Sequence, residues 1–242
     1  MNRSPSLLRL TTLAMLVAVG VLISPILRVE GMCPMAHLIN IVCAVLLGPW
    51  YSLLCATVIG ILRMSLMGIP PLALTGAVFG AFLSGLLYRL SGGRLIFAVL
   101  GEIVGTGIIG AMVSAPVMTL LWGYEGITLL YYVPSFLCGT LIGGSIAFLL
   151  LKKLARGGVL ATLQAKLGAR VFDTPVSVAG EALAIAAVGM IAWLAVKVAV
   201  GSFFHLSGPV AQALPWGVLC LFLVGAIGYF LLNRKEAAVH EA

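Results

Sequence analysis

Long apolar runs with very few charged side chains most constrain how this chain can fold. Eight of them lie near residues 7–27, 36–48, 50–67, 72–90, 95–122, 127–151, 176–199 and 212–232. A helix needs about 20 apolar residues to cross the hydrocarbon core of a bilayer, and a spanning helix satisfies its own backbone groups there. Because 62% of the 242 residues are hydrophobic and only 9% are charged, little chain is left for a soluble catalytic domain. The sequence therefore predicts an all-α integral membrane protein.

The basic residues divide unevenly between the two sides of such a protein. With alternating crossings, eleven of the 14 Lys and Arg residues share one side, namely Arg3, Arg9, Arg89, Arg94, Lys152, Lys153, Arg156, Lys166, Arg170, Arg234 and Lys235. Only Arg28, Arg63 and Lys197 fall on or near the other, with Arg63 expected at a solvated end of the third run. Loops on the cytoplasmic side carry the excess of Lys and Arg, so both termini are predicted to be cytoplasmic.

Composition divides the chain into three parts. Residues 1–152 form a six-span unit, residues 153–175 a basic connector on or near the anionic leaflet, and residues 176–242 a two-span extension of unknown role. The second run is short for a crossing and meets the third at Leu47-Gly48-Pro49-Trp50, which favours a turn or a broken hairpin. In the six-span unit, small residues recur every four positions and predict close helix contacts; they include Ala77, Ala81, Gly85, Gly101, Gly105, Gly139 and Gly143.

Several kinds of chemistry lack their required residues. The chain has no G-x-x-x-x-G-K-[ST] phosphate loop, no H-E-x-x-H zinc motif and a single aspartate, Asp173. Its five cysteines form no C-x-x-C pair, so no metal knuckle or disulfide framework is indicated. An enzyme is therefore poorly supported, and energy for any transport would come from a partner or an ion gradient.

Glu102 is the most informative single residue because a carboxylate inside the fifth run is costly, by roughly 2.5–3.5 kcal/mol for charged residues on insertion scales. One helical turn further on, Thr106 shares its face, and Gly105 beside it leaves clearance for a ligand or a helix. These residues are interpreted as ligand-binding. The alternative is a glutamate that ties helices together.

A second polar group, His37 and Asn40, begins the second run in the segment CPMAHLIN. Spaced three apart, the two side chains share a helical face and offer donors and acceptors to a small heteroaromatic ligand; a helix-end role for His37 is the alternative. Trp122, Tyr131 and Tyr132 surround the loop between the fifth and sixth runs. They are candidates for a stacking wall or lid, and an interfacial aromatic belt would explain them equally.

Taken together, CPMAHLIN, Leu47-Gly48-Pro49-Trp50-Tyr51 and GEIVGTGIIG with Pro116 downstream resemble the ThiW-type substrate-binding subunits of energy-coupling factor (ECF) transporters, over roughly residues 7–152. The resemblance implies a compact six-helix S component that captures hydroxyethyl-methylthiazole, the thiazole precursor of thiamine, at the outer face of a prokaryotic cytoplasmic membrane. It further implies a transmembrane coupling subunit and two ATPase subunits as partners, with Ala14 and Ala18 matching the family's A-x-x-x-A docking stripe.

Three alternatives stay open. The chain could bind another vitamin or small heterocycle, carry its substrate autonomously with Glu102 as a proton site, or act as a membrane scaffold or assembly protein. The two-span extension departs from the family pattern.

Overall fold

The computed structural model describes residues 5–26, 32–172, 178–198, 200–201 and 208–240, and they fold into helices joined by short connections. The predicted all-α membrane architecture is confirmed. The helices are α1 Pro5–Ile23, α2 Pro34–Leu47, α3 Pro49–Met67, α4 Leu72–Leu90, α5 Leu95–Trp122, α6 Val133–Arg156, α7 Val159–Lys166, α8 Val178–Val198 and α9 Pro209–His240.

Six of the helices are long and apolar enough to cross a membrane, namely α1, α3, α4, α5, α6 and α9. The predicted second and seventh runs correspond to α2 and α8, whose apolar stretches are shorter. All eight predicted runs therefore coincide with apolar helices. The additional helix α7 lies in the segment that was expected to be a connector.

The chain divides into two compact units, Met1–Phe172 and Asp173–Ala242. The first contains α1 to α7 and the second contains α8 and α9. The boundaries expected from composition, 152 and 175, stay predictions, but α7 belongs to the first unit by its contacts.

Helix α2 forms the centre of the first unit. It has 14 residues, eleven of them buried, and it packs against α1, α3, α4, α5, α6 and α7. It ends at Leu47, and Gly48, with φ +92°, leads directly into Pro49 at the start of α3. The predicted turn is therefore a single residue whose backbone conformation favours glycine.

Helices α4 and α5 approach each other closely at two pairs of glycines. A Cβ atom built on Gly105 would lie 2.5 Å from Gly80 Cα, and one on Gly110 would lie 2.5 Å from the Gly76 carbonyl oxygen. The middle of α5, Ile103–Gly110, is a π-helix. The close approach predicted for Gly105 is confirmed, and its neighbour on α4 is Gly80, which the predicted stripe did not include.

One end of the first unit, here called the basic end, includes Arg9, Arg89, Arg94, Lys166 and Arg170. Helix α7 closes it with the buried residues Leu160 and Gln164, and Leu167 directly after the helix is buried as well. Gln164 Nε2 donates to the Val45 carbonyl at 2.9 Å and to the Tyr88 hydroxyl at 3.1 Å. Arg9 donates to the carbonyls of Leu167 and Gly168, just after α7. The last part of the expected connector is thus packed onto the helix bundle.

The second unit is a helix pair. Gly189 of α8 faces Phe222 of α9, and the rings of Trp193 and Trp216 pack against each other at 54° with centroids 5.3 Å apart. The Tyr229 hydroxyl on α9 donates to buried Glu181 near the start of α8. The predicted residues Asp173 and Arg28 lie outside the described residues.

Candidate functional site

Four predicted polar residues meet around one carboxylate oxygen. Asn40 Nδ2 and Thr106 Oγ1 each donate to Glu102 Oε1 at 3.0 Å, and His37 Nδ1 lies 2.9 Å from the same atom. Because Oε1 already accepts two hydrogen bonds, His37 Nδ1 is the donor in the third contact. The cluster therefore joins α2 to α5 through one acceptor.

The depth of α2 explains how these residues meet. Glu102 is the eighth residue of α5, counted from the basic end, whereas His37 is the fourth residue of α2, counted from the opposite end. In two helices of equal span they would lie at different depths. Since α2 has only 14 residues, or about 21 Å at 1.5 Å per residue, its first turn begins well inside the bundle.

The cluster is enclosed by protein. Glu102 is 0% exposed, and Asn40 and Thr106 are also buried. A Cβ atom built on Gly80 would lie 2.0 Å from Thr106 Oγ1 and 2.8 Å from Glu102 Oε2, so only a glycine fits opposite them. Within the described part of the chain, Glu102 Oε2 has no hydrogen-bond partner, and buried polar atoms of this kind are rare in native proteins.

Two glycines of α6 make room for His37. A Cβ atom on Gly143 would lie 2.9 Å from His37 Cβ and 2.1 Å from the Pro34 carbonyl oxygen. One on Gly139 would lie 3.2 Å from His37 Nε2. With the proton on Nδ1, the Nε2 atom of a neutral histidine is an acceptor, and it faces α6. The close contacts predicted for Gly139 and Gly143 are confirmed.

The aromatic residues predicted for the site, Trp122, Tyr131 and Tyr132, lie outside the polar cluster. Tyr132 is 7% exposed and packs with Met118 and Phe136 in an apolar cluster. Phe136 faces Gly76, one helical turn beyond Gly80 towards the opposite end, so this apolar layer lies over the polar cluster. Tyr131 and Trp122 are 43% and 50% exposed. Their role in a ligand site stays a prediction.

Other residues of the site were not predicted. Ser52 Oγ donates to the Asn40 carbonyl at 2.8 Å and so holds the helix turn that carries the Asn40 side chain. Gly80 is the residue that faces Glu102 Oε2. Arg63, expected at a solvated helix end, is only 4% exposed, because α3 packs it against neighbouring helices instead of leaving it at the surface.

The two alanines predicted for partner docking lie on the outside of α1. Ala14 and Ala18 are exposed, whereas Leu13 and Gly20 are buried, and Gly20 faces Ile59 and Ile39. Helix α1 thus uses one face for the bundle and leaves the alanine face uncovered in the isolated chain.

The apolar helices and the buried polar cluster define the class of this protein. It is an integral membrane helix bundle with a polar site in its interior. The family model described as "Thiamine-precursor transporter protein (ThiW)" matches residues 10–157, more than half of the chain. The chain belongs to the ThiW family of thiamine-precursor transporters. No curated protein and no solved structure matches it.

Proposed function

We propose that this protein is the substrate-binding subunit of an ECF-type transporter and captures hydroxyethyl-methylthiazole for ATP-driven uptake by partner subunits. The single observation that supports this most is the convergence of His37, Asn40 and Thr106 on Glu102 in the middle of the bundle. Small-molecule sites are mostly apolar with a few fixed polar groups, and this cluster supplies such groups. The protein itself performs no reaction in this proposal.

The surroundings of the cluster suit a small ring with a polar arm. Tyr132, Met118 and Phe136 provide an apolar and aromatic layer next to the polar groups. Glu102 Oε2, which has no partner among the described residues, and His37 Nε2, which faces α6, could contact a ligand. Tyr131 and Trp122, which are exposed beyond this layer, would contact the ligand as it enters.

Other parts of the chain bear on how transport would be powered and how the protein would be oriented in the membrane. Because the sequence has no phosphate loop, ATP would act through two ATPase subunits and a transmembrane coupling subunit. The exposed face with Ala14 and Ala18 offers a flat surface for the coupling subunit, since small residues let helices approach closely. The basic end would face the cytoplasm of a prokaryotic cell, with both termini on that side.

Calorimetry on the detergent-purified full chain tests the proposal. We expect hydroxyethyl-methylthiazole to bind more tightly than thiamine or a pyrimidine precursor, and Glu102→Gln to weaken this binding. Glu125→Gln is the matched control, because Glu125 is exposed in the loop after α5, and it should bind as the wild type does.

Two results would contradict the proposal. If none of the three compounds binds, the thiazole assignment is wrong and a scaffold role becomes the stronger hypothesis. If proteoliposomes that contain this chain alone accumulate the thiazole under a proton gradient, the chain is an autonomous carrier.

A further inference from the structure

The two carboxylate oxygens of Glu102 have different surroundings. Oε1 accepts from two helices, with Asn40 and His37 on α2 and Thr106 on α5. Oε2 is buried, has no partner among the described residues and points towards Gly80 of α4. Leaving a charged or polar oxygen buried without a hydrogen bond is costly, so this atom is a candidate for a functional contact.

We propose that the two oxygens have separate tasks: Oε1 fastens α2 to α5, and Oε2 receives a hydrogen-bond donor of the ligand at the α4–α5 contact, where Gly80 determines which groups fit. This rests on the proposed function and adds a chemical requirement to it. The ligand must present a donor, such as the hydroxyl of a hydroxyalkyl arm, and an acceptor of the same size does not serve.

The donor reaches Oε2 when α4 and α5 separate at Gly80, because the cluster is otherwise enclosed. The contact there consists of glycine backbone against glycine backbone, at Gly80 with Gly105 and at Gly76 with Gly110. The side chains of Thr75 on α4 and Ser114 on α5 hydrogen-bond at 2.7 Å towards the opposite end, so α4 would separate from α5 mainly near Gly80. Any side chain at position 80 would occupy the space beside Oε2.

The π-helix supports this location. Its segment, Ile103–Gly110, begins directly after Glu102 and carries Thr106. π segments inside α-helices are frequently found at functional sites, and this one contains three glycines, Gly105, Gly107 and Gly110. The helix is thus irregular where the proposal requires movement.

The test uses three compounds that differ only in the arm of the thiazole: hydroxyethyl, methoxyethyl and ethyl. The hydroxyl can donate, the ether can only accept, and the ethyl group can do neither. For the wild-type chain, we expect the alcohol to bind roughly 10- to 100-fold more tightly than the ether, as for a lost hydrogen bond to a charged group.

Glu102→Gln should replace the acceptor beside Gly80 by a hydrogen-bond donor. The glutamine carbonyl can take the place of Oε1 and accept the same three donors, which leaves the amide nitrogen, a donor, beside Gly80. The ether then gains a partner, so the ratio of alcohol to ether affinity should fall to within about threefold. Gly80→Ala, whose Cβ would lie 2.8 Å from Oε2, should remove the advantage of the alcohol as well.

Gly144→Ala is the control for a glycine substitution in the bundle, since the atoms nearest its Cβ belong to the side chains of Val99 and Ile41. It should keep the wild-type ratio. A wild type that binds alcohol and ether equally overturns the inference but leaves the proposed function intact, whereas binding of no thiazole overturns both. A preference for the alcohol that persists in Glu102→Gln places the donor contact elsewhere. The wild-type ratio decides even if a variant fails to fold.

Discussion

Glu102 and Glu181 are both buried carboxylates in apolar helices, yet they are built into the molecule differently. Glu102 draws donors from α2 and from its own helix onto one oxygen, faces a glycine of α4 and adjoins a π-helix. Glu181 accepts from the hydroxyl of Tyr229 in the neighbouring helix of a two-helix unit. At Glu102, one oxygen accepts from several donors, a glycine lies opposite the carboxylate, and the helix continues as a π-helix. Glu181 shows a contact that joins two helices.

The comparison teaches that burial of a charged group is by itself a poor sign of a binding site. In a membrane helix, a carboxylate can join two helices through hydrogen bonds without forming a ligand site. What distinguishes Glu102 is the set of glycines that leaves space around it, on α4 and on α5. The predictions below test whether this difference has energetic consequences.

The largest expected effect is that of Glu102→Leu compared with Glu181→Leu. Removing Glu102 leaves the donors of His37, Asn40 and Thr106 buried without their acceptor, at roughly 1–3 kcal/mol each. We expect the free energy of unfolding to fall by about 3–5 kcal/mol, and by about 1–2 kcal/mol for Glu181→Leu. Denaturant unfolding in detergent, followed by circular dichroism, measures both, with Glu125→Leu as the surface control. Equal losses would show that the two glutamates are equivalent.

Glycine substitutions should have opposite signs in the two units. Gly80→Ala forces a Cβ against Thr106 and Glu102, so we expect a loss of about 1–3 kcal/mol, as for overpacking. Gly225→Ala in α9 meets nothing within 4 Å, and the better helix propensity of alanine should stabilise the unit by about 0.5–1 kcal/mol. Thermal unfolding of the two variants side by side gives the signs. A stabilising Gly80→Ala would mean that α4 does not press on the cluster.

Gln164→Ala tests the basic end, where the Gln164 amide joins α7 to α2 and α4. The variant loses bonds to Val45 and Tyr88, and we expect it to be less stable by about 1–2 kcal/mol. Thiazole affinity should change by less than threefold in calorimetry. Lys166→Gln, exposed on the same helix, is the control for α7. A large loss of affinity in Gln164→Ala would show that the basic end is coupled to the polar cluster.

The smallest expected effect is that of Tyr229→Phe. The variant removes one hydroxyl that bonds Glu181, and interhelical hydrogen bonds in membrane proteins average about 0.6 kcal/mol. We therefore expect a loss below about 1 kcal/mol and unchanged thiazole binding. Tyr124→Phe, at an exposed tyrosine, should have no measurable effect. If Tyr229→Phe alters ligand affinity, the second unit contributes to ligand binding. The distinction between a binding role for Glu102 and a structural role for Glu181 would then be wrong.

The sequence predicted the elements of the fold well, because apolar runs bounded by charges and turns are long-range signals that packing does not override. It also paired Glu102 with Thr106 and His37 with Asn40, since each pair follows helical spacing. It could not bring the two pairs together, because their meeting depends on how deep α2 lies among its neighbours. The one-residue connection at Gly48 fixes α2 and α3 at the basic end, and only the short length of α2 hinted at the depth.

The π-helix and the burial of Tyr132 could not be predicted from the spacing of apolar residues. The π-helix at Ile103–Gly110 has the same composition as an apolar α-helix. Tyr131 and Tyr132 are neighbours in sequence, yet one is exposed and the other is buried under Phe136. Helix α7 could have been found, because Leu160, Gln164 and Leu167 follow a helical spacing that is typical of a buried face.

The hydrogen bonds of Arg9 also bear on how the chain is made. Arg9 lies in the first helix, but the carbonyls that it bonds belong to Leu167 and Gly168. During synthesis the N-terminal part of a chain is available first, so α1 must wait until translation has passed Gly168 before this contact can form. We therefore expect a nascent chain that stops after α6 to contain α1 to α6, with α1 packed on α2 and α3 but without the bonds of Arg9. This contact joins a residue near the beginning of the first unit to residues near its end.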